Sequence, residues 1–288
     1  MHALEKWEFL KDYKYSVIFT CDDFSSTLKK AKEIIPLENT YENDYLYTSF
    51  VKPVAYSMDG YYFLKFNLAY AAIHPLTQEE FLTKYPFLVV FHEKGELIEF
   101  RFDVLKRVFL SDKKEPTIYS NLIAEMSDYF KEHFECDLIP LNLDFMVNVC
   151  KRDENVKLIA QSMKLPNGGN AQLDVGNNQE YILPFIGELR SLLNDNQAEL
   201  EKVPDFREAL EQFMFEMEEM SDYPWIELLW ENEIKTRSNR VKFVFNYMNK
   251  SYCLIQYYYS NVLIGMERMN YVIEYIVNHR NDDTTQNE

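Results

Sequence analysis

The sequence predicts an α+β fold: mostly antiparallel sheets with packed helices, ending in a helix, three strands and a helix. Apolar residues make up 47% of the 288 residues, which is enough to bury a core and excludes global disorder. Alternating segments flank Asp59-Gly60 and Glu93-Lys94-Gly95, and such turn sequences are typical of β-hairpins. Residues 118–134 repeat apolar side chains at helical spacing, which predicts an amphipathic helix.

The elements of the N-terminal half follow from local signals. Asp22 is a good N-cap, and Thr77 followed by Glu80 forms a capping box that predicts a short helix. The predicted elements are a strand at 15–20, a helix from Asp22 to about 35, a strand at 45–50, a hairpin of 54–58 and 61–71, a short helix from Thr77, and a hairpin of 87–92 and 96–103.

A turn-rich stretch, residues 141–178, predicts a domain boundary. We divide the chain into 1–150, an N-terminal α+β part with two hairpins, and 151–288, a C-terminal α+β part with acidic helices and a three-stranded antiparallel sheet. Residues 225–234 alternate between apolar and charged side chains, as a half-buried strand does. The predicted elements of this part are helices at 180–193 and 205–220, strands at 225–234, 241–247 and 252–259, and a helix at 261–278.

Negative charge is concentrated in the third quarter of the chain. Between Ala171 and Glu233 there are sixteen Asp and Glu residues against three Arg and Lys residues, which gives −13 of the net −17 of the whole chain. A field of this sign attracts basic surfaces and repels nucleic acid and anionic membranes before any contact forms. We therefore expect a protein partner with a basic surface, and neither nucleic acid nor a membrane.

The helix predicted from Asp205 is expected to expose part of this charge on the protein surface. Its apolar residues recur at helical spacing and are expected to face a core: Phe206, Leu210, Phe213, Met214 and Met217. Its acids then lie outside, and tyrosine is enriched at protein interfaces. The predicted partner-binding residues are Glu208, Glu211, Glu218, Glu219, Asp222, Tyr257 and Tyr259. The favoured function is a non-catalytic interaction protein without a cofactor, such as an inhibitor, an antitoxin-like protein or a component of bacterial or phage defence or counter-defence.

Asp222, Glu233 and Lys235 provide an alternative. Their spacing, D-x10-E-x-K, resembles the motif of metal-dependent nucleases of the PD-(D/E)xK type, and the surrounding α-β-β-β-α order is similar to that nuclease core. The resemblance implies two carboxylates that hold Mg²⁺ and a lysine that steadies the attacking water. Glu233 and Lys235 lie on the first strand of the three, whereas the family carries them on the third. Whether the protein is an enzyme is left open at this point.

A third group of charged residues lies on the predicted strand 96–103. Glu99, Arg101 and Asp103 alternate and therefore share one face, where we expect an ion network on a solvent-exposed side of the sheet. A cation site is the alternative. His92 precedes Glu93, whose carboxylate would raise the pKa of the imidazole. Zinc, phosphate-loop and nucleophile motifs are absent from the sequence.

Cysteine use and hydropathy bear on location. The four cysteines do not form a C-x-x-C pair, and we expect buried free thiols. The first ten residues have no apolar stretch of the kind a secretion signal carries, and no apolar run approaches membrane-spanning length, so we expect a cytoplasmic protein. Abundant Lys, Asn, Ile, Tyr and Phe indicate an A/T-rich coding sequence, as in bacteria of low G+C content and their phages. A homo-oligomer with a helix–sheet interface is a third hypothesis.

Overall fold

The computed structural model confirms the α+β class. It describes residues 2–34, 46–58, 60–73, 76–105, 117–153, 155–164, 169–174, 186–219, 221–231, 238–258 and 265–280. In chain order the elements are α1 (His2–Leu10), β1 (Tyr15–Thr20), α2 (Phe24–Ala31), β2 (Val54–Met58), β3 (Tyr61–Ile73), β4 (Glu80–His92), β5 (Leu97–Phe102), α3 (Ile118–Phe134), β6 (Ile139–Pro140), α4 (Met146–Arg152), β7 (Val156–Lys164), β8 (Asn170–Asp174), α5 (Ile186–Asp195), α6 (Gln197–Leu200), α7 (Pro204–Glu219), β9 (Asp222–Trp230), β10 (Asn239–Val244), β11 (Leu254–Tyr257) and α8 (Glu267–His279).

The chain forms two compact units. The first combines Met1–Leu143 with Asn246–Glu288, and the second is Asp144–Phe245. The sequence-based division at residue 150 treats each unit as one continuous segment, whereas the first unit is assembled from two segments. The predicted C-terminal order of helix, three strands and helix is confirmed by α7, β9, β10, β11 and α8.

The first unit is built on antiparallel strands in the order β2-β3-β4-β5-β1-β11, with β6 also paired to β1. Both hairpins predicted around Gly60 and Gly95 are confirmed, although Asp59 itself lies outside the described residues. On one side of this sheet α3 packs on aromatic rings, with Phe130 5.7 Å from Phe100 between ring centroids. Because side chains alternate along a strand, Glu99 and Arg101 point to the opposite side, which α8 covers through Asn270.

The second unit carries antiparallel strands in the order β10-β9-β7-β8. Helices α5 and α7 pack on these strands through a small cluster in which Met163 of β7, Leu193 of α5 and Met214 of α7 are buried. Leu189, Leu200 and Leu210 pack against this cluster and remain partly exposed. Among the described side chains of α5, α6 and α7, only Leu193 and Met214 are buried.

The short helix predicted from Thr77 is wrong. Residues from Glu80 onward form β4, and thirteen residues of β3 and β4 pair in register, from Tyr61 opposite His92 to Ile73 opposite Glu80. The Thr77 hydroxyl does accept a hydrogen bond from the backbone of Glu79, at 3.4 Å, but within a turn and not a helix. A long row of cross-strand pairs outweighs this local preference.

Two further expectations concern cysteines and membranes. All four cysteines are free, with Cys136, Cys150 and Cys253 buried and Cys21 partly exposed. Among the described residues, none of the helices combines the length and the apolar character that crossing a bilayer would demand.

Candidate functional site

A groove follows the outer side of the helical layer in the second unit, between the end of α5 and the middle of α7. Its volume is about 540 Å³. We call it the acidic groove, because the acids Glu208 and Glu211 line it against one base, Arg207, which is paired with Glu211. Leu193, Gln212 and Phe215 are among its other lining residues. A concave surface with apolar and charged groups side by side can hold a ligand or a segment of another protein.

Helical spacing places acidic and aromatic side chains of α7 on one side of the groove. Glu208, Glu211 and Phe215 are separated by three and four residues, so they are neighbours on one face of the helix. Phe215 is 58% exposed, whereas Met214 is 4% exposed and packs in the cluster with Leu193. The helix therefore anchors itself through Met214 and turns a ring and two carboxylates outward.

Other large apolar side chains of the same helical layer are also exposed. Phe206 is 60% and Phe213 44% exposed, and Leu192 and Val203 are exposed as well. The predicted core face of α7 is thus wrong at Phe206 and Phe213, because among its described side chains the helix buries Met214 alone, with Leu210 partly buried. The side chain of Met217 lies outside the described part of the chain. Phe213 and Phe215 are two residues apart and therefore lie on different faces of the helix, so only Phe215 of these two belongs to the groove.

The charge around the acidic groove is only partly neutralised. Within residues 192–216 the seven acids outnumber the two bases. Both bases already have partners, since Lys202 lies 2.7 Å from Glu199 and Arg207 lies 2.7 Å from Glu211. Glu208 has no ion-pair partner among the described residues. Negative charge is therefore presented to solvent beside the exposed ring of Phe215.

The predicted acidic residues do not all gather at this groove. Glu208 and Glu211 line it. Glu218 and Glu219 belong to α7, but their side chains lie outside the described part of the chain. Asp222 is exposed at the first residue of β9. The groove thus joins two of the five predicted acids.

The remaining predicted site residues lie elsewhere. Tyr257 is 2% exposed, and its hydroxyl lies 3.4 Å from Ser16 Oγ inside the first unit, so its ring has no surface to offer a partner. Tyr259 lies outside the described residues, as do Glu233 and Lys235 of the nuclease alternative. Sequence reasoning missed Phe215, and the signal that could have found it is its place four residues after Glu211, on the acidic side of the helix.

A second cluster of charged groups lies inside the first unit. Glu99 Oε2 accepts hydrogen bonds from His92 Nε2 and from Arg101 Nε, both at 2.8 Å. Arg101 Nη2 donates to Asn270 Oδ1 of α8 at 2.7 Å. We call these four residues the buried network. Glu99 and Arg101 are both 0% exposed, so the predicted solvent-exposed ion network is wrong, because α8 covers this side of the sheet.

Asp103, the third residue of the predicted row, has other partners. It is paired with the side chain of Lys11, and its carboxylate accepts a hydrogen bond from the backbone of Lys14 at 3.1 Å. Among the residues that the structure describes, no three His, Cys, Asp or Glu side chains are grouped as a metal ion would require. The alternative of a cation site in this row therefore gains no support.

The buried network sets the protonation states of its members. Burial raises the pKa of Glu99, but Arg101 and His92 together outweigh burial and hold this pKa below its ordinary value. Burial lowers the pKa of His92, and the bond to Glu99 offsets this only in part. The predicted rise caused by Glu93 is wrong, because the imidazole bonds to Glu99 and is shielded from water. A neutral imidazole beside an ionised carboxylate is the expected state near neutral pH.

Comparison with known proteins identifies no family, since no protein-family model matches the chain and no curated protein matches it. The function is therefore argued from the chemistry of the acidic groove and the buried network themselves.

Proposed function

We propose that the protein is a non-catalytic interaction protein whose acidic groove binds a basic, partly apolar segment of a partner protein. The observation that carries this proposal is Phe215, a ring 58% exposed in a groove that it shares with the carboxylates of Glu208 and Glu211. The ring favours an apolar side chain, and the carboxylates favour Lys or Arg. The proposal requires no cofactor.

The two kinds of group contribute in different ways. Charge complementarity raises the association rate and excludes acidic partners, while burial of an aromatic ring supplies much of the affinity of a hot spot. A partner helix with apolar residues at helical spacing and Lys or Arg beside them fits both requirements. We place the protein among inhibitors, antitoxin-like proteins and bacterial or phage defence or counter-defence components, in the cytoplasm, as part of the same proposal.

A synthetic amphipathic helix with a lysine side and a leucine side tests the proposal, with fluorescence anisotropy as readout. We expect the combined change Glu208→Lys and Glu211→Lys to weaken binding at least tenfold. Phe215→Ala should weaken it severalfold with the fold unchanged, because the ring is exposed. Raising salt from about 0.01 M to about 0.15 M should also weaken binding, since the Debye length falls from about 30 Å to about 8 Å.

Glu132→Lys is the matched control, because Glu132 is exposed on α3 of the first unit and the substitution makes the same change of charge. If Glu132→Lys weakens binding as much per charge as the groove variants do, the attraction is general and the groove is not the site. A peptide with glutamate in place of lysine should not bind. Equal binding of that peptide would overturn the charge argument.

A further inference from the structure

A second cavity lies in the first unit, beside the buried network. Its volume is about 360 Å³, within the range of small-molecule sites. The residues that give it its chemistry are Tyr61, His92, Lys94, Ile273, Glu274 and Val277. They come from β3, from the end of β4 with the turn after it, and from α8.

His92 gives this cavity a hydrogen-bond acceptor. The ring is 5% exposed and lines the cavity. Its Nε2 donates to the carboxylate of Glu99, so in the neutral imidazole the Nδ1 atom carries the free electron pair. Among the described residues Nδ1 has no hydrogen-bond partner. The acceptor is therefore available to a ligand.

Tyr61 and Glu274 provide a second acceptor. The Tyr61 hydroxyl donates to Glu274 Oε1 at 3.1 Å, which fixes the carboxylate and leaves its other oxygen available. Burial, with help from the charge of Glu274, raises the pKa of Tyr61 to about 12, so the phenol keeps its proton at neutral pH. The ring of Tyr61 stands edge-on to His92, with centroids 5.4 Å apart. Ile273 and Val277 add apolar surface.

The buried network holds His92 in place, but two of its buried polar atoms have no hydrogen-bond partner among the described residues. Glu99 Oε1 and Arg101 Nη1 are buried and lack hydrogen-bond partners among the residues described. A buried polar atom without a hydrogen-bond partner destabilises the folded state. The bond between His92 and Glu99 fixes the orientation of a side chain that lines the cavity. Here the oriented group is the imidazole of His92.

We propose that this cavity binds a small primary amine with a short apolar body. The ammonium group donates hydrogen bonds to Glu274 and to Nδ1 of His92, and the body packs on Ile273, Val277 and the ring of Tyr61. Two acids, Glu93 and Glu274, and one base, Lys94, line the cavity, and all three are exposed, so the lining carries net negative charge and favours an ammonium group over a carboxylate. This site is separate from the acidic groove, and either proposal can fail without the other.

Two probes that share a phenylethyl body and carry opposite charges test the proposal: 2-phenylethylamine and 3-phenylpropanoate. We expect the amine to bind with a dissociation constant in the millimolar range and to shift the imidazole NMR signals of His92. The carboxylate should not bind. Glu274→Gln keeps the hydrogen bond from Tyr61 and removes the charge, and it should weaken amine binding at least fivefold.

Glu267→Gln is the matched control, since Glu267 is exposed at the first residue of the same helix, α8. It should leave amine binding unchanged. The proposal is overturned if neither probe binds, if both bind equally, or if the two glutamine variants have the same effect. Binding of the carboxylate alone would assign the cavity to anions through Lys94 and would also overturn it.

Discussion

The buried charges around Glu99 in the first unit contrast with the exposed charges on α7 in the second. Glu99 and Arg101 are completely buried beneath α8, while Glu208 and Glu211 are exposed on α7. The residue types are the same, and the difference lies in what packs over them. Charge counted along the sequence therefore does not tell which charges a partner can reach, because a covering helix decides this.

The first unit contains a second group of buried ion pairs. Lys65 is completely buried on β3, where it is paired with Glu5 and Glu8 of α1, and Lys84 of β4 reaches the same two acids. Ion pairs of this kind fix α1 on the sheet. The exposed pairs Lys202–Glu199 and Arg207–Glu211 of the second unit join residues only three or four apart, so they do not link distant segments. Lys157 and Glu231 of the same unit do link distant parts of the chain, at 2.8 Å.

The largest expected effect is that of Glu99→Ala. Removing one partner of a buried pair leaves Arg101 charged and unpaired, which typically costs about 3–5 kcal/mol. Hydrogen exchange of the β4 and β5 amides measures this loss within the first unit alone. A loss below about 1 kcal/mol would show that water reaches the buried network, and the claim that Glu99 and Arg101 are buried charges would then fail.

A smaller loss is expected for Lys65→Met, which keeps the size of the side chain. Glu5 and Glu8 then retain Lys84 as a partner, so we expect about 2–3 kcal/mol rather than the full cost of an unpaired buried charge. Exchange of the α1 amides is the readout. Lys84→Met serves as the control, because Lys84 is 23% exposed and should matter less.

The stability of the first unit should fall as pH falls. The pKa of His92 is lowered by burial, so below about pH 6.5 the unfolded chain takes up a proton that the folded chain refuses, and folding loses stability. Below about pH 4.5 the same holds for Glu99, and for Glu5, whose pKa the bonds to Lys65 and Lys84 lower against the effect of burial. Between about pH 7 and pH 5, the free energy of unfolding measured with urea should change less with pH in His92→Gln than in the unaltered protein. An unchanged slope would mean that His92 is protonated in the folded state.

The smallest effect belongs to the exposed pair of α7. Glu211→Ala should change the free energy of unfolding by less than about 0.5 kcal/mol, because exposed ion pairs three or four residues apart on a helix contribute little. Hydrogen exchange of the α7 amides checks this. A loss comparable with that of Glu99→Ala would remove the contrast between the two units.

Local signals in the sequence predicted much of the fold. The turns at Gly60 and Gly95 carry their own backbone requirements, and the helix 118–134 has a clear period, so both were correct. The helix at Thr77 was wrong because the competing pairs with β3 are distant in sequence. Alternation placed Glu99 and Arg101 on one side of a strand correctly, but it could not reveal that Asn270, some 170 residues later, covers them.

The candidate site was predictable in part. The density of acids located α7, and helical spacing put Glu208 and Glu211 on its outer side. Phe206 and Phe213 were assigned to a core because period alone does not give the width of the buried stripe, which here depends on the small cluster around Met214. The aromatic half of the acidic groove was therefore missed.

The acidic groove is tested most directly by mapping where the lysine–leucine peptide slows hydrogen exchange across the whole chain. We expect slower exchange in residues 193–216, no change in the first unit, and loss of the effect in the Glu208→Lys and Glu211→Lys double variant. Slower exchange elsewhere with none in residues 193–216 would contradict the account, because the outward charges of the second unit would then not be the ones a basic partner meets.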